Sequence, residues 1–168
     1  MLSAKMQKTL NTHLNEEFYS SYLYLSMAAY FEAKNLKGFA NWMRLQSAEE
    51  RLHGMKFFDF ILQKGGKVTL TEIGTPKIEW KSISEVFTDT LTHEQKITGL
   101  INKLVEVAML EKDFATNNFL QWFVTEQVEE EANVEEIIQK IEMIGDNKSG
   151  LYMLDNELGA RAAAPAGE

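Results

Sequence analysis

The chain contains no cysteine, which excludes disulfides, thiolate zinc sites, cysteine-ligated iron-sulfur clusters and cysteine nucleophiles at one stroke. Any metal it holds must therefore sit on oxygen and imidazole. Basic residues are too few to balance the acids, leaving a formal net charge of -8, and an excess of this sign repels phosphate backbones and anionic membranes. No nucleic acid and no membrane are expected among its partners. There is also no apolar run approaching ~20 residues, and Met1 to Gln7 lacks the apolar stretch of a secretory leader. A soluble cytoplasmic protein is the expectation. With two prolines in 168 residues, Pro76 and Pro165, little interrupts helical runs. What remains is one domain's worth of chain, 45% hydrophobic, enough for a substantial core and too short for two ordinary domains.

Four long segments carry apolar residues at alternating steps of three and four, which is the signature of an amphipathic helix. They run from about Ala4 to Lys34, Leu36 to Lys64, Ser82 to Glu111 and Asp113 to Ile144, and an all-α four-helix bundle over residues 1–145 follows. The short joints at Asn35 and Lys112 imply two antiparallel hairpins. Between the hairpins, Gly65 to Lys81 is far longer than a turn needs. Extended, it spans ~50 Å, more than the ~42 Å of a 28-residue helix, so it can cross the whole bundle and leave the second and third helices parallel. After Gly145 a turn leads to a short fifth helix at Leu151 to Leu158, within a segment 146–158. Residues 159–168 are Ala-rich and read as a flexible tail.

Each of the four stripes is broken by one acid. The first reads Leu10, Leu14, Glu17, Ser21, Tyr24, Ala28, Phe31; the second Phe39, Met43, Gln46, Glu50, His53, Phe57, Phe60. Glu94 falls between Phe87 and Ile97 in the third, and Glu130 between Phe123 and Val134 in the fourth. A buried, unpaired carboxylate costs several kcal/mol, and the stripes hold too few basic groups to offset four. All four acids lie near the middle of their segments, a height that is unchanged by running a helix backwards. They should meet at one central level, with His53 beside Glu50, around a pair of metal ions. His13 and His93 show no comparable context and read as ordinary, partly exposed histidines. Leu23, Leu25, Phe39, Trp42, Leu70 and Ile78 exceed what one bundle core readily absorbs, which predicts a homo-oligomer.

The stretches NEEFYSSYLYLSM at 15–27, AEERLHGMKFFDFI at 48–61, HEQKIT at 93–98 and NFLQWFVTEQVEEE at 118–131 resemble prokaryotic non-haem ferritins of the ferritin-like di-iron family. That family's bundles present inward glutamates together with Glu-x-x-His pairs. The resemblance covers nearly the whole chain. It implies a long-crossover four-helix bundle with a short fifth helix, and a shell of about 24 subunits. It implies an iron-storage protein with ferroxidase activity, oxidising Fe(II) with dioxygen or hydrogen peroxide and mineralising it in the shell's cavity. One iron would be held by Glu17, Glu50 and His53, the other by Glu50, Glu94 and Glu130, with Glu50 bridging. Four carboxylates balance two Fe(II) ions, and dioxygen and water supply the anions that two Fe(III) ions then require. Gln127 would hydrogen-bond near the second iron without locking it in place.

The resemblance also implies that Tyr24 hydrogen-bonds a ligand or donates an electron; the alternative is an aromatic filling the core. Trp122 reads as core packing. Glu49, Glu126, Glu129 and Glu130 would make an additional iron site on the cavity side, against the alternative of a solvated acidic face. Haem is not expected, because Leu52 stands where bacterioferritins have their haem-ligating methionine. The fourth helix also has Gln127-Val128-Glu129-Glu130 in place of the second Glu-x-x-His that bacterioferritins carry. Asn117 and Leu120 align with acids that line the three-fold pores of animal ferritins, which puts iron entry by that route in doubt. Mini-ferritins of the Dps kind fit poorly, having ligands between subunits and often basic tails. Two rivals to storage are a rubrerythrin-like di-iron oxidase, which usually adds a cysteine-ligated domain, and a metal-free bundle acting as an interaction module.

Overall fold

A computed structural model describes residues 2–163. Five helices and no strand occur among them: α1 (Ala4–Ala33), α2 (Lys37–Gln63), α3 (Ile83–Leu110), α4 (Phe114–Ile144) and α5 (Lys148–Gly159). Side-chain caps mark several starts, since Ser3, Ser82 and Asp113 each accept a hydrogen bond from the backbone N–H three residues on, satisfying donors the helix cannot use internally. The first three helices stop in the same way. Asn35, Gly65 and Lys112 take positive φ, and the next residue's N–H reaches back to the carbonyl of Phe31, Ile61 or Ala108, closing a Schellman turn. At the second hairpin Asp113, besides capping α4, pairs with Lys64 at 3.0 Å, tying that turn to the end of α2.

The crossover's course can be followed through its bonds to α1. Lys67 N donates to Gln7, Thr69 N to Asn11, and the carbonyls of Glu72 and Lys77 accept from Asn15 and Ser26. It therefore climbs the full length of α1, and α3 starts where α1 ends. Running back down, α3 meets α1 at Thr90 with Met27 and at Lys96 with Glu16. Hence α3 is antiparallel to α1 and parallel to α2, as the length of the crossover permits.

The apolar core lies in two blocks along the bundle axis. One contains Met6, Leu10, Leu14, Phe57, Ile61, Leu104, Leu120 and Phe123; the other contains Met27, Phe31, Phe39, Met43, Phe87, Val134 and Leu154. Cutting a fully buried Phe57 or Phe87 back to alanine would cost about 3–5 kcal/mol. The polar centre is sandwiched between the blocks, so packing on both sides holds its side chains.

Several sequence expectations are corrected here. Leu23, Phe39 and Trp42 are buried within one subunit, because α5 and the start of the third helix cover that end, and only Leu25, Leu70 and Ile78 of the apolar remainder stay exposed. Leu120 is fully buried in the apolar block beside Phe123 and cannot line a pore. The short fifth helix is longer than its apolar pattern suggested, starting at Lys148 after its cap Asn147, which accepts from Ser149 N and Gly150 N, and running through Gly159. Of the segment read as a flexible tail, 164–168 lie outside the described residues, while Arg161 is bonded to α2.

Candidate metal centre

Glu17, Glu50, Glu94 and Glu130 are all buried, at 1%, 3%, 1% and 4% exposure. The stripes place them there: each acid follows its helix's apolar repeat and so enters the core at mid-height. Ligand atoms of Glu17, Glu50 and His53 lie within 4.8 Å of one another, and so do those of His53, Glu126 and Glu130. His53 stands between the two groups, its Nδ1 3.4 Å from Glu50 and its Nε2 3.9 Å from Glu126.

Buried acids without enough positive charge hold their protons. Burial, reinforced by Glu94, Glu17 and Glu130, pushes Glu50 well above the ordinary carboxylate range. Burial also raises Glu94 to about 7, opposed by hydrogen bonds from Tyr24 and Gln127. Glu130 goes to about 8 through burial and the charges of Glu94 and Glu49. Glu17 is the exception: burial works to raise it, but the charge and hydrogen bond of His13 outweigh that and hold it low. Burial depresses His53, leaving its imidazole neutral and available as a ligand.

Second-tier contacts hold these groups. Tyr24 donates its hydroxyl proton to Glu94, and burial beside Glu94 keeps the phenol protonated. Gln127 Nε2 reaches the Glu94 carboxylate at 3.1 Å, the Glu94 carbonyl at 3.2 Å and Thr98 Oγ1 at 3.2 Å. Gln46 donates to Glu130. Trp122 and His53 meet edge to face, with centroids 5.3 Å apart, and Trp122 carries Lys56 Nζ over its ring. On the outer side, Glu49 and Glu126 are half-buried and Glu129 is exposed; burial and the charge of Glu129 raise Glu126.

The donor set fits a divalent cation. All the candidate donors are carboxylate or neutral imidazole, a set suited to iron among first-row metals, and Glu17 Oε2 is buried with no hydrogen-bond partner. An orphaned carboxylate oxygen grouped with Glu50 and His53 is what a cation would satisfy. Glu94, however, is turned toward Tyr24 and Gln127, and the second grouping contains Glu126 in the place expected for Glu50 and Glu94.

Histidines account for most of what the sequence reading missed. His13 is 3% exposed and its Nε2 lies 2.8 Å from Glu17; His93 is 7% exposed and bonds Ser20 at 2.7 Å. Neither is the partly exposed residue expected. His13 occupies the same stripe as Leu10 and Glu17 and packs on Phe57, a position its spacing from Glu17 would have signalled. Burial lowers His93 to about 4, so it is a neutral core histidine. Gln46, one turn before Glu50, was visible in the stripe; Arg161 carried no signal.

A family model of the ferritin-like domain matches residues 7–144. The chain is similar to bacterial non-heme ferritins of Staphylococcus aureus, 41% identical over 161 residues that make up 96% of this chain and 97% of that one. The likeness to the Staphylococcus haemolyticus protein is 42% over 162 residues, 96% and 98% of the two chains. Among solved structures, an open-pore ferritin from the archaeon Archaeoglobus fulgidus superposes with a TM-score of 0.95 at 51% identity, covering 96% of this chain and 100% of that one. A closed form of that ferritin, engineered by mutagenesis, gives 0.96 at 50% identity, covering 98% and 100%.

Proposed function

The chain belongs to the ferritin family, a family of iron-storage proteins, and from that premise we propose that it oxidises Fe(II) at the central carboxylate site and stores the ferric product inside a hollow homo-oligomeric shell. The observation that carries this reading is the set of four buried glutamates with one unpartnered carboxylate oxygen, flanked by His53. Iron is here the substrate and the cargo. Each pair of Fe(II) ions yields two electrons, which with two protons convert one dioxygen to hydrogen peroxide; peroxide can serve as oxidant in turn. Cytoplasmic placement and a shell of about 24 subunits belong to the same proposal. No helix among the described residues is long and apolar enough to cross a membrane.

The residues divide the work by their surroundings. Glu17, Glu50 and His53 form the first binding position, with His13 holding Glu17 Oε1 so that Oε2 faces the iron. Glu50, Glu94 and Glu130 form the second. Glu50 then lies between the two as a shared ligand. Glu50, Glu94 and Glu130 give up protons when a cation enters, so binding should be coupled to proton release near neutral pH. Tyr24 positions Glu94 and keeps its proton. Gln127, a neutral amide, offers the second position no strong bond, which favours departure of the ferric product. Glu49, Glu126, Glu129 and Glu130 provide an outer position alongside. A stopped-flow titration of the metal-free protein with Fe(II) tests the site. A fast oxidation phase should saturate at about two irons per subunit and vanish in Glu50→Ala; a fast phase that survives this substitution would refute the assignment.

A further inference from the structure

Arg161 follows α5 by two residues, yet its side chain reaches the edge of the metal centre. Its Nη1 donates to Gln46 Oε1 at 2.7 Å and its Nη2 to Glu49 Oε2 at 2.6 Å, while the guanidinium carbon lies 4.9 Å from the centre of the Trp42 ring. Gln46 uses its other end to donate to Glu130. One guanidinium thus holds an outer acid directly and a central ligand through an amide. The segment that carries it is fastened to α2, since Asp155 accepts from Gly38 N and Phe39 N at 2.8 and 3.0 Å, and Asn41 Nδ2 donates to the carbonyls of Leu158 and Arg161.

We propose that Arg161 is a tethered cation that occupies the Glu49 arm of the outer position and positions Glu130 through Gln46, so that an incoming metal ion must displace it to bind there. This rests on the outer position proposed above and adds its regulation. An ion bound by Glu49, Glu126, Glu129 and Glu130 needs the carboxylate that Arg161 already neutralises, and a divalent cation and a guanidinium cannot share it at hydrogen-bond distance. Both groups are partly shielded, with side-chain exposures of 25% and 19%, so the competition is stronger than between fully exposed charges. Displacement also frees Gln46 from its anchor and loosens its hold on Glu130. Linkage makes the effect reciprocal: whatever outer-ion affinity Arg161 removes, the outer ion removes from the docking of this segment.

The test uses Zn(II), which is redox-inert, titrated calorimetrically into the metal-free assembled protein, with anomalous scattering from Zn(II)-soaked crystals to assign each ion. Arg161→Gln retains hydrogen-bonding capacity without the charge, and Arg161→Ala removes both. The proposal expects the outer ion to bind about tenfold tighter in both variants, with both inner ions still bound, and Arg161→Lys to fall between them and the parent. An outer ion seen only in the variants would also support it. Equal outer affinity, or an equally empty outer position, in the parent and in Arg161→Gln would overturn it and leave Arg161 as a fastening for the C-terminal segment. Absence of the two inner ions from the parent protein would instead refute the central site, so the two failures are distinguishable.

Discussion

Glu17 and Glu130 enter the same core, yet their neighbours treat them oppositely: His13 keeps Glu17 ionised, while burial among like charges keeps Glu130 protonated up to about pH 8. The difference predicts how the metal-free protein responds to pH. Glu94 and Glu130 have pKa values raised by folding, to about 7 and about 8, so the stability they provide is complete at low pH and disappears as pH rises through those values. His53 and His93 are depressed and act in the reverse direction, but only below about 6.5. The melting temperature of the metal-free protein should therefore fall from pH 6.5 to 8.5, and saturating Zn(II) should abolish or invert that slope. A melting temperature that rises with pH without metal would contradict the protonated state of the site.

Glu130→Ala should slow the fast phase of Fe(II) oxidation by at least about tenfold, and His13→Ala should weaken the first metal by about tenfold without changing the number of ions bound, as removal of an orienting partner does elsewhere. Stopped-flow absorbance and calorimetry, respectively, check them. The burial of the four glutamates could be read from the sequence because each interrupts a stripe whose other members are mostly apolar. His13 was equally on a stripe, but a histidine among leucines has no single meaning until its neighbour is seen. Arg161 could not be read at all, since the bonds that hold it join residues more than a hundred positions apart.

The four long helices were recoverable almost to the residue because their ends are written in local chemistry. Ser3, Ser82 and Asp113 cap the starts, and Asn35, Gly65 and Lys112 supply the positive φ that ends α1, α2 and α3. The docking of α5 depends on something less visible. A Cβ on Gly38 would come within 1.5 Å of the Asp155 carbonyl oxygen, backbone that cannot swing aside. Asp155 meanwhile provides the N-terminal cap that Leu36, which has no side-chain cap bond, cannot give to α2. Gly38→Ala should expel α5 from its seat and cost about 2 kcal/mol or more, whereas Asp155→Ala should cost about 1 kcal/mol. Thermal denaturation would rank the two; an unperturbed Gly38→Ala protein would show that α5 is not seated as described.

At the scale of the whole molecule, exposed apolar side chains remain after the subunit's own helices have covered Phe39 and Trp42. Leu25, Leu70 and Ile78 are 48%, 65% and 67% exposed, and the last two lie on the crossover, spread along the face of α1. A shell that buries this face would explain them, and replacing Leu70 and Ile78 by glutamate should yield smaller particles on size-exclusion chromatography. Assembly was only partly readable from sequence, because an apolar residue in a stripe looks the same whether its own subunit or a neighbour covers it. The central claim is that the molecule stores iron. Its most direct test is to titrate the metal-free protein with Fe(II) in air, pass it over a sizing column and quantify iron in the protein peak. Hundreds of irons eluting with a very large particle is the predicted result; about two per chain on a small oligomer would contradict storage and leave a di-iron oxidase.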